Sequence, residues 1–267
     1  DHPEDEALCD EVRQVVINAE WNAPVRTHFS DTNLGLKKRV VSGLDWVFEH
    51  ETEAIILEDD CLPDPTFFRF AAELLERFEH DNRVGIISGN NFLWGKNVSD
   101  DSYFFSPDVR IWGWATWRRV WQDFSASGLD RHRSDDEVAD RVAHIPASLR
   151  RTGLVQMQKT VTSSSWALPF LFHCLDRAYL NPTPRVNLVE NIGFGGEATH
   201  TSFESFTAEV PRQSMDFPLR HPESVVVPSR LGVWEGKAHR RRLVTFPLRH
   251  PFDFLGRILR FLRRRFR

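Results

Sequence analysis

Ala54-Ile55-Ile56-Leu57-Glu58-Asp59-Asp60 sets four apolar residues in a row against three carboxylates, with the turn-forming Cys61-Leu62-Pro63-Asp64-Pro65 close behind. A run this short, without helical spacing, predicts a strand buried on both faces. In an open α/β sheet ligands lie just beyond the C-terminal ends of the strands. Carboxylates crowded there repel one another and raise their pKa values unless a cation offsets them. A divalent ion is the simplest such cation, because carboxylate oxygens suit hard ions such as Mg2+ or Mn2+, and those ions suit a diphosphate. The bland alternative is a strand that ends in acidic surface residues.

The flanking sequence alternates helix and strand. Leu8, Val12, Val15, Val16 and Ala19 fall at helical spacing, closed near Trp21-Asn22-Ala23-Pro24, and a strand is expected at Val25 to Phe29. After the turn-rich Ser30 to Gly35 comes a second helix with Val40, Val41, Leu44, Val47 and Phe48 on one stripe. Its first turn holds Lys37, Lys38 and Arg39, cations that oppose the helix dipole and so mark either a bound anion or a solvated face. Beyond the acidic strand, Asp64 can cap and Pro65 can open a helix that turns Phe67, Phe68, Phe70, Ala71, Leu74, Leu75 and Phe78 to the core. Val84 to Ile87 predicts another strand, and Ser88-Gly89-Asn90-Asn91 turns out of it. This alternation predicts an α/β, Rossmann-like domain with a mostly parallel sheet flanked by helices.

At 267 residues with 41% hydrophobic content, the chain can build one large domain with an appendage. Cys9, Cys61 and Cys174 are odd in number and far apart, which argues against a disulfide framework or structural zinc and for a reducing, cytoplasmic location. No apolar run reaches the length of a membrane span. The net charge of -4 conceals acidic residues before about position 140 and arginines crowding the C-terminus. Nucleic acid is not an expected partner.

Ile111 to Trp121 places four tryptophans within ten residues, Trp112, Trp114, Trp117 and Trp121, with Gly113 between two of them. Such a stretch is either a buried aromatic cluster or a wall on which a sugar ring stacks. Asn187 to Gly196 leads into Glu197-Ala198-Thr199-His200, a glycine-rich loop that lets backbone approach a ligand and ends at a histidine able to reach a metal or diphosphate. Residues 125–150 read as a polar helical excursion. Past residue 201 periodicity dissolves, and Phe-Pro-Leu-Arg-His-Pro occurs twice, at 217–222 and 246–251.

Ile-Ile-Leu-Glu-Asp-Asp-Cys-Leu-Pro, Ile-Ser-Gly-Asn-Asn-Phe, Trp-Gly-Trp-Ala-Thr-Trp-Arg-Arg and Asn-Ile-Gly-Phe-Gly followed by Ala-Thr-His-Thr together resemble a bacterial group of nucleotide-diphospho-sugar transferases with the GT-A fold. The Glu-Asp-Asp stretch is similar to that of the animal N-acetylglucosaminyltransferase I enzymes. The resemblance covers about residues 1–222. It implies transfer of a sugar from a nucleoside diphosphate to an acceptor hydroxyl on a glycan or lipid-linked carrier. On this chain it puts Asp60 on Mn2+ or Mg2+, Asp59 toward the ribose and Glu58 near the donor sugar, and His200 at the end of the glycine-rich loop is the second candidate metal ligand. Lys37, Trp112, Gly113 and Trp114 complete the expected donor-binding set. The family's first strand and nucleoside loop precede the point where this sequence starts, so the domain is expected to lack its first strand. Where the family tends to carry an aspartate after the tryptophan matching Trp166, this chain has Ala167, which cannot take a proton. Glu190 or Glu197 is then the candidate general base, or the chain is a non-catalytic sugar-nucleotide or glycan-binding module. The expected organisation is a transferase domain over 1–201, an irregular extension over 202–251 and a basic tail over 252–267.

That tail spaces Phe254, Ile258, Phe261 and Leu262 along one helical face among six arginines from Arg257 onward. Each basic residue near an anionic surface contributes about 1 kcal/mol, which makes reversible attachment to the inner face of the plasma membrane the expectation. The intact chain should therefore sediment with anionic liposomes at low salt and be released as salt rises, whereas a chain ending at Pro251 stays in the supernatant. Equal sedimentation of the two would remove this role from the tail.

Overall fold

Apolar residues recurring every three to four positions from Phe67 give the chain its most strongly sided helix, α3 (Thr66–Phe78), after α1 (Pro3–Asn18) and α2 (Gly35–His50). The computed structural model describes residues 3–20, 22–127, 165–193 and 210–231. Phe67, Phe70, Ala71 and Leu74 are fully buried, each large side chain contributing about 1.5–3 kcal/mol by leaving water. Phe68 was expected among them, but it is 45% exposed because its position faces away from that stripe.

The chain is mixed α/β. The central sheet has the order β1 (Glu53–Ile56), β5 (Trp114–Trp117), β3 (Ile86–Ser88), with α3 packed across all three strands. β2 (Cys61–Pro63) pairs with β7 (Val189–Asn191), and β4 (Tyr103–Ser106) pairs with β6 (Asn181–Pro184). Helices α4 (Arg118–Ser127) and α5 (Ala167–Asp176) complete the described elements.

Every described strand pairing is antiparallel, which corrects the mostly parallel sheet expected from the alternation. β1 and β3 do run the same way, since each is antiparallel to β5, but β5 is inserted between them. Among the described strands β1 is accordingly at the edge, and its Ala54, Ile55 and Ile56 are half-buried instead of enclosed on both faces. The enclosed strand is β5, where Trp114, Ala115, Thr116 and Trp117 are at most 3% exposed.

Two more expectations are corrected near the N-terminus. Residues 25–29 form no strand; they run as irregular chain, with Val25 and Phe29 largely exposed and the Ser30 carbonyl accepting from Arg13 Nη2 at 2.9 Å. The α1 helix forms where its spacing predicts, yet its Leu8, Val12 and Val15 face outward. The stretch 210–231 is irregular but joined to the same core, through buried Met215 and Leu219 and through Arg69 stacked on the Phe217 ring at 4.0 Å. The tail over 252–267 and most of 125–150 lie outside the described residues. No helix among the described residues is long and apolar enough to cross a membrane.

Asp64 ties this irregular stretch to the start of α3. Its Oδ1 accepts from Thr66 N at 2.9 Å and Thr66 Oγ1 at 2.5 Å, and its Oδ2 accepts from Ser214 Oγ at 2.9 Å. Thr66 Oγ1 in turn accepts from Met215 N. Burial opposes ionisation of Asp64, but these hydrogen bonds and the nearby Arg212 charge outweigh it and hold the carboxyl below its ordinary value. Its stabilisation is thus present above the ordinary carboxylate range and is lost as pH falls through the lowered value. Asp64→Ala should cost about 1 kcal/mol, a loss of about 2–4 °C in Tm at neutral pH, and the gap from wild type should close in acid. An unchanged Tm at neutral pH would show that the cap is not contributing.

Candidate functional site

The register of the central sheet determines what meets at its end. Ile56 and Ser88 both lie opposite Trp114. The residues after Ile56, those after Ser88 and those before Trp114 therefore leave the sheet at one edge. They are Glu58-Asp59-Asp60, Asn90-Asn91-Phe92 and Arg110-Ile111-Trp112. β7 closes over this edge: Leu188 N donates to Gly89 O at 2.9 Å, and Asn90 Nδ2 donates to Val189 O at 2.9 Å. A Cβ on Gly89 or on Gly113 would lie 2.6 Å from Val189 Cγ2, so both positions must be bare for Val189 to pack there. Gly113 also has φ +70°, a conformation disfavoured for other residues, and its carbonyl accepts from Gly89 N.

The acidic turn is closed by Cys61 N donating to Glu58 O at 3.0 Å and is fastened to β7 by Ile192 N donating to Asp60 O at 2.8 Å. Glu58 and Asp60 are half-buried and Asp59 is exposed. Burial raises the Glu58 pKa, and the charges of Asp60 and Asp59 raise it further. No Lys or Arg among the described residues forms an ion pair with any of the three. Burial likewise pushes the Cys61 thiol up to about 12, so it stays protonated and donates to Asp60 Oδ1 at 3.6 Å.

Among the described residues no three His, Cys, Asp or Glu side chains converge on a common point. The donor set nonetheless suits Mg2+ or Mn2+, which take one or two carboxylates from the protein and draw their remaining oxygens from phosphate and water. The charge repulsion felt by Glu58 favours a cation at the same place. His200 and Glu197 lie outside the described residues.

Of the other candidates, Glu190 is brought to this edge, half-buried on β7 opposite Leu62. Lys37 stands half-buried in the first turn of α2. The tryptophans divide. Trp114 is fully buried, its ring stacked on Trp166 at 6.1 Å and tilted against Phe170 at 5.1 Å, so it offers no face to a sugar. Trp117 and Trp121 are core as well. Trp112 is only partly buried, edge-on to Phe92 at 5.3 Å. Gly113 serves packing and turn geometry at the sheet end. Ala167 is the first residue of α5, its N–H donating to Ser165 Oγ at 3.2 Å.

Phe92 and Arg110 were not singled out from sequence. The Arg110 guanidinium lies over the Phe92 ring at 5.3 Å and pairs with Asp108 at 3.2 Å, with its side chain only 7% exposed. The available signal was Ser-Gly-Asn-Asn-Phe directly after an apolar run. Asn91 is structural: its Nδ2 donates to the Pro184 and Arg185 carbonyls at 2.8 Å, and its Oδ1 accepts from Leu93 N at 2.7 Å. No family model matches the chain, and no curated protein matches it.

A carboxyl whose pKa is raised in the folded state lends stability that is complete below its ordinary value of 4.5 and is lost as pH rises through the raised value. Glu58→Gln should therefore melt a few degrees above wild type at neutral pH in the presence of a chelator, and the difference should vanish in acid. A variant that tracks wild type at neutral pH would show that the turn carries no unfavourable charge.

Proposed function

We propose that this chain is a metal-dependent glycosyltransferase of the GT-A type. It moves a sugar from a nucleoside-diphosphate donor to a hydroxyl of a glycan or lipid-linked acceptor in cell-surface polysaccharide synthesis. One observation carries the reading: the Glu58–Asp60 turn is held at the C-terminal end of β1 by the backbone of β7, with no cationic side chain paired to it among the described residues. The motif resemblance supplies the chemistry.

In the transfer, the acceptor oxygen bonds to the anomeric carbon while the bond from that carbon to the diphosphate oxygen breaks, and the electron pair leaves on the diphosphate. The hydroxyl proton passes to a carboxylate, for which Glu190 or Glu197 is the candidate. Asp60 would hold Mn2+ or Mg2+ together with His200, Asp59 would face the ribose, and Glu58 would lie near the donor sugar. When bound, the ion would supply positive charge to offset what accumulates on the departing diphosphate. Lys37 is assigned to the diphosphate. Trp112, backed edge-on by Phe92, offers an aromatic face for the sugar ring. Attachment of the arginine-rich tail to the cytoplasmic leaflet would bring the enzyme to a lipid-carried acceptor.

Ala167 favours a second reading, a non-catalytic sugar-nucleotide or glycan-binding module. The neighbouring Trp166 is packed against Trp114, and Ala167 occupies the sequence position at which the resembling family tends to carry an aspartate. Calorimetric titration with UDP-sugars, with and without Mn2+, joined to a turnover assay over a broad acceptor set, separates the two. Turnover favours the transferase, and binding without turnover favours the module. Asp60→Ala should weaken Mn2+-dependent UDP binding by about tenfold or more while leaving the fold intact. Unchanged Mn2+-dependent affinity in that variant would remove Asp60 from the metal site.

A further inference from the structure

Position 193 demands glycine for space and not for backbone conformation. Its φ lies outside the left-handed range, so an alanine could adopt the same backbone. What alanine could not do is fit. Its Cβ would lie 2.5 Å from Asp60 Oδ2, 2.7 Å from Asp60 Cβ and 3.0 Å from Asp60 Cγ. All three atoms belong to one side chain, and the nearest carbon is the one attached to the backbone, which no rotamer change can move aside.

The segment that carries Gly193 is itself fixed. Asn191 lies opposite Cys61 in the β2–β7 pair, Ile192 N donates to Asp60 O at 2.8 Å, and Gly193 N donates to Asn191 Oδ1 at 2.9 Å. Asn191 is 8% exposed. Residues 191–193 therefore wrap the acidic turn with backbone on one side, while among the described residues the Asp60 carboxylate receives only the weak Cys61 thiol bond.

We infer that Gly193 is a positioning residue for Asp60: its bare Cα is the wall that confines the carboxylate to the direction from which it takes a divalent ion with a nucleoside diphosphate. This rests on the transferase reading above. The contact itself can be tested without reference to that reading, by a double-mutant cycle on Tm. Gly193→Ala should lower Tm in the wild-type background and lower it far less in Asp60→Gly, which lacks the crowded atoms. An equal loss in both backgrounds overturns the inference. Should Gly193→Ala alone fail to fold, the same comparison is read as recovery of folding in the Asp60→Gly background, and continued failure there overturns it.

The consequence for binding is read from the Mn2+ electron paramagnetic resonance signal titrated with UDP. Wild type should bind, Gly193→Ala should bind about tenfold more weakly, and the Asp60→Gly double variant should recover Tm without recovering Mn2+. Binding by wild type and Gly193→Ala with equal affinity sinks the positioning role alone. Failure of wild type to bind Mn2+ with UDP removes the transferase reading, and with it the role of the wall, whatever the melting temperatures show.

Discussion

The insertion of β5 between β1 and β3 is the constraint from which the site follows. Antiparallel pairing on both sides of β5 places Ile56 and Ser88 opposite the same residue, Trp114. Two strands separated by α3 in sequence thus end level with each other, and the turns that follow them share one edge. A slip of one residue in either pairing would turn every side chain of that strand to the other face. The packing of Trp114 and Trp117 opposes such a slip in β5, since each ring would be turned onto the buried face that the other now fills.

Close backbone approach is the second organising feature. Gly89 and Gly113 admit Val189, and Gly193 admits the Asp60 side chain, so β7 lies directly on the turns it covers. Side-chain volume at any of these positions would push the strap outward and open the edge. The same closeness has an electrostatic consequence. Three carboxylates in adjacent positions repel one another, and partial burial of Glu58 and Asp60 reduces the water that would screen them. The fold tolerates this unfavourable charge because backbone hydrogen bonds from Cys61 and Ile192 hold the turn shut.

Two of the strands that escaped sequence reading share one cause. Cys61–Pro63 reads as a turn and Asn181–Pro184 carries no strand signal, because proline cannot donate to a ladder. Both are strands paired on one side in the described structure, where half of the backbone donors suffice. In β6 the two prolines share one parity, leaving the N–H groups of Asn181 and Thr183 for β4. Conversely, Val25 to Phe29 has strand-like composition but no partner strand among the described residues, and composition alone does not supply one.

The sequence by itself determined the first three helices, the existence of β1 and β3, the acidic turn between Leu57 and Cys61, and a glycine-rich approach after Asn187; α4 and α5 it did not mark. These are local matters, settled by periodicity, by proline and by the chemistry of neighbouring residues. Only the tertiary structure decided that β5 separates β1 from β3, that Trp114 is core while Trp112 stays partly open, and that the segments carrying Arg110 and Phe92 leave the sheet at the same end as the acidic turn. Those outcomes depend on pairing between residues far apart in the chain. Hydrophobic pattern records that a residue seeks burial, but it does not record which strand will provide it.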